Sequence, residues 1–292
     1  MAIPDTRTAV VFAVSLLLAL VILFAALVGG LRVGYTLVVV AIGGTLLGML
    51  TGALGTYAVL LKRSLLGDAI SHAALPGVAA AFLLWGRSLP FLLLGAGLAS
   101  WLGAAFIRVV TRFTRIKDDA AMGVVLSGWF ALGIAVLTYI QTRPDASQAG
   151  LDTFIFGQAA AIVRSDIMVI SIVGLVALMV VLLFWKELKL LSFDRGFAAS
   201  LGLPIDVLDG LLEALLVVAI VLGLQIAGVV LMVALLVAPG IAGRQWARSL
   251  GGTMVLAGLF GGVSGAFGAI VSSLQTDVPT GPMIVVVAFL IV

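Results

Sequence analysis

The chain has 292 residues, of which 63% are hydrophobic and 10% charged, and its formal net charge is +3. Against the roughly 25% charge of a soluble domain and with a mean hydropathy of +1.33, this excludes a water-soluble globule. Apolar runs of about 17–25 residues also exclude a membrane barrel, which alternates polar and apolar residues in pieces of about ten. With no cysteine, disulfides, thiolate metal sites and haem attachment are excluded. The sequence has no GxxxxGK[ST], so any nucleotide hydrolysis belongs to a partner.

In chain order, apolar segments run approximately over 9–28, 34–60, 66–85, 89–110, 120–140, 166–185, 207–224, 226–243, 251–273 and 280–292. The first lacks a small-residue cleavage site and reads as a span rather than a removed signal. With the N-terminus inside and strict alternation, twelve of the sixteen cationic side chains fall inside. These are Arg7, Lys62, Arg63, Arg108, Arg112, Arg115, Lys117, Lys186, Lys189, Arg195, Arg244 and Arg248. Arg32, Arg87, Arg143 and Arg164 fall outside. That bias predicts a cytoplasmic N-terminus, and it explains the basic balance as topology rather than nucleic-acid binding. The segment 66–85 and the tight pair 207–243 are candidates for broken or re-entrant helices. The expectation is an all-α polytopic membrane protein of eight to ten transmembrane helices, forming a single domain over 1–292.

Small residues recur at helical spacing in two spans: Gly44, Gly48 and Gly52, and Gly261 and Gly265. In lipid, such stripes allow close helix–helix approach, so packing within the chain is the expected role, with a subunit interface as the alternative.

One stretch breaks the apolar background, Leu66 to Gly77. Its Asp68 and His72 are four residues apart, on one face of a helix. Counted from Lys62 and Arg63, His72 lies roughly 14 Å deeper, near the middle of a core about 30 Å thick. A carboxylate at that depth faces a cavity or a partner charge. Carboxylate oxygen with imidazole nitrogen suits Mn²⁺, Fe²⁺ or Zn²⁺ and suits Cu⁺ poorly. The alternatives are an Asp–His hydrogen bond locking two helices, or a helix cap by Asp68. Pro76-Gly77 is expected to interrupt the helix after the pair. Elsewhere, Glu213 is expected to snorkel or pair near the inner face. Gln225 would satisfy a neighbouring helix, Arg164 and Asp166 would stay at the interface, and Asp118 and Asp119 would be solvated.

The stretch GDAISHAALPGVA (67–79) closely resembles the signature of the ABC-3 family of permeases, the membrane subunits of bacterial manganese, zinc and iron importers. LDTFIFGQAAAIVRSD (151–166) resembles that family's outer short helix and following span, and LKLLSFDRGFAASLGLP (188–204) its cytoplasmic coupling segment. GLQIAGVVLMVALLVAPGIAGRQWAR (223–248) and DVPTGPMIVVV (277–287) resemble its C-terminal spans. The resemblance covers residues 34–292, leaving the span 9–28 as an addition relative to shorter members. It implies a fold similar to the vitamin B12 permease type of ABC importer. It also implies that Asp68 and His72 meet the metal in the translocation path. The related cobalamin and siderophore permeases carry no such GDxxSH sequence.

In the coupling segment, Leu190, Leu191, Phe193 and Phe197 interleave with Lys189, Asp194 and Arg195. Such an amphipathic stretch suits docking into an ATPase groove, with an interfacial helix lying on lipid as the alternative. The resemblance therefore implies an importer permease in the cytoplasmic (inner) membrane, working with two ATPase subunits and an extracellular or periplasmic metal-binding protein. A second copy or a sister permease would complete it. The metal, Mn²⁺ first and Zn²⁺ or Fe²⁺ next, is cargo; no resident cofactor, enzymatic activity or nucleic-acid partner is expected. The rivals are a permease for a metal chelate or vitamin, which would need a wide apolar path, and an ion-coupled secondary transporter, which would need no docking segment.

Overall fold

The computed structural model describes residues 35–86, 88–142, 162–273 and 279–292. Among these there is no strand, as expected of an all-α polytopic protein. The helices are α1 (Tyr35–Leu60), α2 (Leu65–Trp85), α3 (Leu89–Phe113), α4 (Asp118–Gln141) and α5 (Arg164–Leu183). They are followed by α6 (Trp185–Phe193), α7 (Arg195–Ser200), α8 (Ile205–Trp246), α9 (Leu250–Ser273) and α10 (Thr280–Ile291). Seven helices among the described residues are long and apolar enough to cross a membrane. The first expected span, 9–28, lies outside the described residues. So do Arg7, Arg32, Arg87, Arg143 and residues 151–161 of the outer-helix motif.

The expected tight pair of segments over 207–243 meets within α8, broken as expected, at Gly228, whose φ is 76° and ψ 171°. Only glycine adopts that backbone readily, which is why two helices meet end to end here. The expected interruption at Pro76-Gly77 does not occur: α2 continues through Pro76 to Trp85. Proline removes one backbone bond, the one to the carbonyl four residues back, here that of His72. Neighbouring helices in a membrane tolerate such a loss.

The chain forms two compact units. One contains α1, α5, the end of α8 from Ala234, α9 and α10; the other contains α2, α3, α4, residues 186–204 and α8 up to Val233. In the first unit, α1 and α9 pack antiparallel through the two glycine stripes. A Cβ on Gly48 would overlap the Gly261 carbonyl, one on Gly52 the Ala257 carbonyl, and one on Gly44 would press on Gly265. The stripes thus serve packing inside the chain. Polar side chains in α1 are satisfied locally: Thr45, Thr51 and Thr56 donate to the carbonyls of Ala41, Leu47 and Gly52. On α5, Ile172, Leu175, Val176, Met179, Leu182 and Leu183 are exposed, which suits a lipid-facing surface.

In the second unit α2 packs against both α3 and α4. Gly77 and Gly95 face each other so closely that a Cβ on either would overlap the other's backbone. Ser100 of α3 donates to the Ile70 carbonyl at 2.9 Å. Gly133 of α4 leaves room for Leu75. These contacts hold α2 on two sides over the turns that carry Asp68 and His72.

Candidate metal site and coupling segment

From Leu66 to Pro76 every residue of α2 is buried except Asp68 and His72. Their side chains are 32% and 19% exposed, and His72 Nε2 lies 3.3 Å from Asp68 Oδ1. The i,i+4 spacing therefore brings the two together as expected. Asp68 stands in the first turn of α2, where the helix dipole favours a negative charge. The ring of His72 meets Phe130 of α4 edge to face, with centroids 4.9 Å apart. Its Nδ1 is buried without a hydrogen-bond partner among the described residues. The pair thus holds two donor atoms of the type that ligates Mn²⁺, Fe²⁺ or Zn²⁺. Among the described residues no third His, Cys, Asp or Glu joins them.

The expected coupling segment folds as α6, a break at Asp194, and α7. Asp194 Oδ1 accepts from the Phe197 amide at 2.9 Å and caps α7, a helix start in the usual manner of an N-cap carboxylate. Phe193 and Phe197 are 62% and 52% exposed. Within the expected docking set, Leu191 is 1% exposed and packs inward, and Leu190 is half-buried. The reason is helical spacing, because Leu188 and Leu191, three apart, share the covered face of α6. Arg195 does not project freely either; it pairs with Asp209 of α8.

Asp209 belongs to an ion-pair cluster that sequence reasoning left as separate residues. On α8 the acidic side chains Asp206, Asp209 and Glu213 follow one another at helical spacing. Arg112 pairs with Asp206 at 2.7 Å, Arg108 pairs with Glu213, and Arg63 Nη1 lies 3.8 Å from Glu213 Oε1. Arg63 Nε also donates to Asp118 Oδ2 at 3.0 Å. Asp118, expected to be solvated, is thus tied to the start of α2. Glu213 pairs, as expected. The i,i+3,i+7 acidic stripe on α8 and the i,i+4 pair Arg108 and Arg112 on α3 were the signals that could have found the cluster. Asp166 caps α5, accepting from the Val163 amide at 3.0 Å. The side chain of Gln225 lies outside the described residues.

Long apolar helices packed through glycine define a polytopic membrane protein. The chain belongs to the ABC 3 transport family, whose model matches residues 34–292. It is 48% identical over 250 residues to the manganese transport system membrane protein MntC of Bacillus subtilis. That match covers 85% of this chain and 58% of the relative, so it spans less than two thirds of that protein's length. It is also 48% identical over 254 residues to the zinc transport system membrane protein TroC of Treponema pallidum, covering 87% of this chain and 85% of the relative. In structure it is similar to PsaBC from Streptococcus pneumoniae in complex with Fab. The TM-score is 0.79 with 31% identity, covering 92% of this chain and 93% of that one.

Proposed function

We propose that this chain is the membrane permease of an ATP-driven importer of a divalent transition metal, with Mn²⁺ the first cargo and Zn²⁺ or Fe²⁺ the next. The observation that carries the reading is the Asp68–His72 pair, the two least covered residues on an otherwise buried turn of a transmembrane helix. Family membership and relatives named for manganese and zinc transport support it.

Asp68 supplies a carboxylate oxygen and His72 an imidazole nitrogen to the passing ion. Among the described residues no third His, Cys, Asp or Glu stands beside the pair, so a second copy or a sister permease supplies further ligands across the path. An incomplete site also suits transport, since an ion held by a full shell would leave slowly. The exposed Phe193 and Phe197, with Asp194 between them, face an ATPase subunit from the cytoplasm. Two such ATPases drive the switch between outward-open and inward-open states. A metal-binding protein delivers the ion from outside. The N-terminus is cytoplasmic, and the location is the cell's inner membrane.

The test is uptake of radioactive Mn²⁺ into proteoliposomes carrying the permease with its ATPase. Uptake should require ATP. Asp68→Ala or His72→Ala should abolish it while leaving assembly with the ATPase intact. Wild-type uptake in both variants, or uptake driven by an ion gradient without the ATPase, would sink the reading.

A further inference from the structure

We infer that Glu213 is a positioning residue linking the ATPase-docking segment to the ligand-bearing helix α2, with Arg63 exchanging between Asp118 and Glu213 as the transporter cycles. This rests on the proposed importer function. The path is continuous. Arg195, in the docking segment, pairs with Asp209. One turn further along α8, Glu213 binds Arg108 and approaches Arg63. Arg63 stands two residues ahead of α2, five before Asp68 and nine before His72.

Two features set this cluster apart from a static staple. First, Arg63 is shared. It bonds Asp118, whose side chain is 42% exposed, and also lies within ion-pair reach of Glu213, whose side chain is 5% exposed. Breaking a buried pair outright strands a charge in a poor solvent for it. Exchanging one carboxylate for another avoids that, so the start of α2 can shift while its guanidinium stays paired. Second, the cluster keeps unused hydrogen-bonding capacity. Among the described residues, Arg108 Nε and Asp209 Oδ1 are buried without partners, although buried polar atoms are nearly always satisfied. A rearranged set of pairs has these atoms to draw on. An element with two discrete pairings, biased from one end by the docking segment and from the other by α2, is what coupling between distant sites requires.

The test uses the complete transporter in liposomes, measuring Mn²⁺ uptake, ATP hydrolysis and equilibrium Mn²⁺ binding. In Glu213→Gln, the Mn²⁺ moved per ATP hydrolysed should fall about fivefold or more, within the usual range of coupling between sites, while equilibrium Mn²⁺ binding stays at the wild-type level. Asp118→Asn, at a more exposed position, should assemble even if Glu213→Gln does not. By removing one of the two partners of Arg63, it should lower the same ratio. A wild-type ratio in an assembled Asp118→Asn transporter, or loss of Mn²⁺ binding in step with uptake, would overturn the inference. The two readings separate in the wild type: a transporter that hydrolyses ATP but moves no Mn²⁺, Zn²⁺ or Fe²⁺ overturns the importer function itself. Wild-type uptake with unchanged ratios in the variants overturns only the link.

Discussion

Arg112 and Arg108 stand one turn apart on α3 and both reach carboxylates of α8, yet their surroundings differ. The Arg112–Asp206 side chains are 58% and 62% exposed, whereas Glu213, the partner of Arg108, is 5% exposed. Water screens the first pair, and it should contribute about 0–1 kcal/mol. Removing Arg108 leaves a buried carboxylate short of a partner, which typically costs about 3–5 kcal/mol. Thermal unfolding of the purified protein in detergent should therefore show a small shift for Arg112→Ala and a large one for Arg108→Ala. Equal shifts would mean that the Glu213 environment is far wetter than its burial implies. At this scale the sequence was uneven. The Asp68–His72 contact is written in a four-residue spacing, which any helix turns into proximity. The partners of Glu213 come from Arg63 and Arg108, far away along the chain, and no local pattern joins them.

Among elements, the contrast lies between α2 and the helix pair α1–α9. Both rely on glycine for close approach, and the stripes at Gly44, Gly48 and Gly52 were legible as packing surfaces because period four is a local signal. Their partner was not legible, since it takes the tertiary structure to set Gly48 against Gly261. A Leu at Gly48 would have to push backbone apart. Overpacking of this kind costs about 1–3 kcal/mol or more, and Gly48→Leu should lower the melting temperature in detergent and the yield of folded protein. An unchanged melting temperature would show that the crossing is looser than described. In the proposed docking segment, Phe193 and Phe197 are the exposed large apolar side chains of the expected set. Replacing either with Ala should weaken ATPase binding by roughly tenfold or more, as for a central aromatic anchor. Replacing Lys189, which is exposed beside them, should matter far less. Co-purification of the ATPase at graded concentrations measures both.

For the whole molecule, the testable property is topology. The chain has no cysteine, so single substitutions can be labelled without background. Lys186→Cys, in the first turn of α6, should react with an impermeant maleimide only from the cytoplasmic face. Thr142→Cys, at the end of α4, should react only from outside. Labelling of Lys186→Cys from outside intact cells would reverse the orientation drawn from the basic residues. Within the second unit, ion pairs to Asp118 and to one stretch of α8 bring together Arg63, Arg108, Arg112 and Arg195, four of the cations that the charge count assigned to one face. That agreement follows from helix length alone, since helices that each cross a core about 30 Å thick return their odd and even ends to opposite sides.

Residue order by itself determined the membrane class, the approximate spans and the Asp68–His72 pair. All of these depend on runs and spacings of fewer than about thirty residues, over which a helix translates sequence directly into position. Tertiary structure alone decided the remaining features. It carried α2 unbroken through Pro76, turned Leu191 inward, tied Asp118 to Arg63 and assembled the cluster around Glu213. Each of these depends on which distant helix supplies the neighbouring surface or charge, and in a uniformly apolar chain that choice is made by close packing and by the need to pair every buried charge.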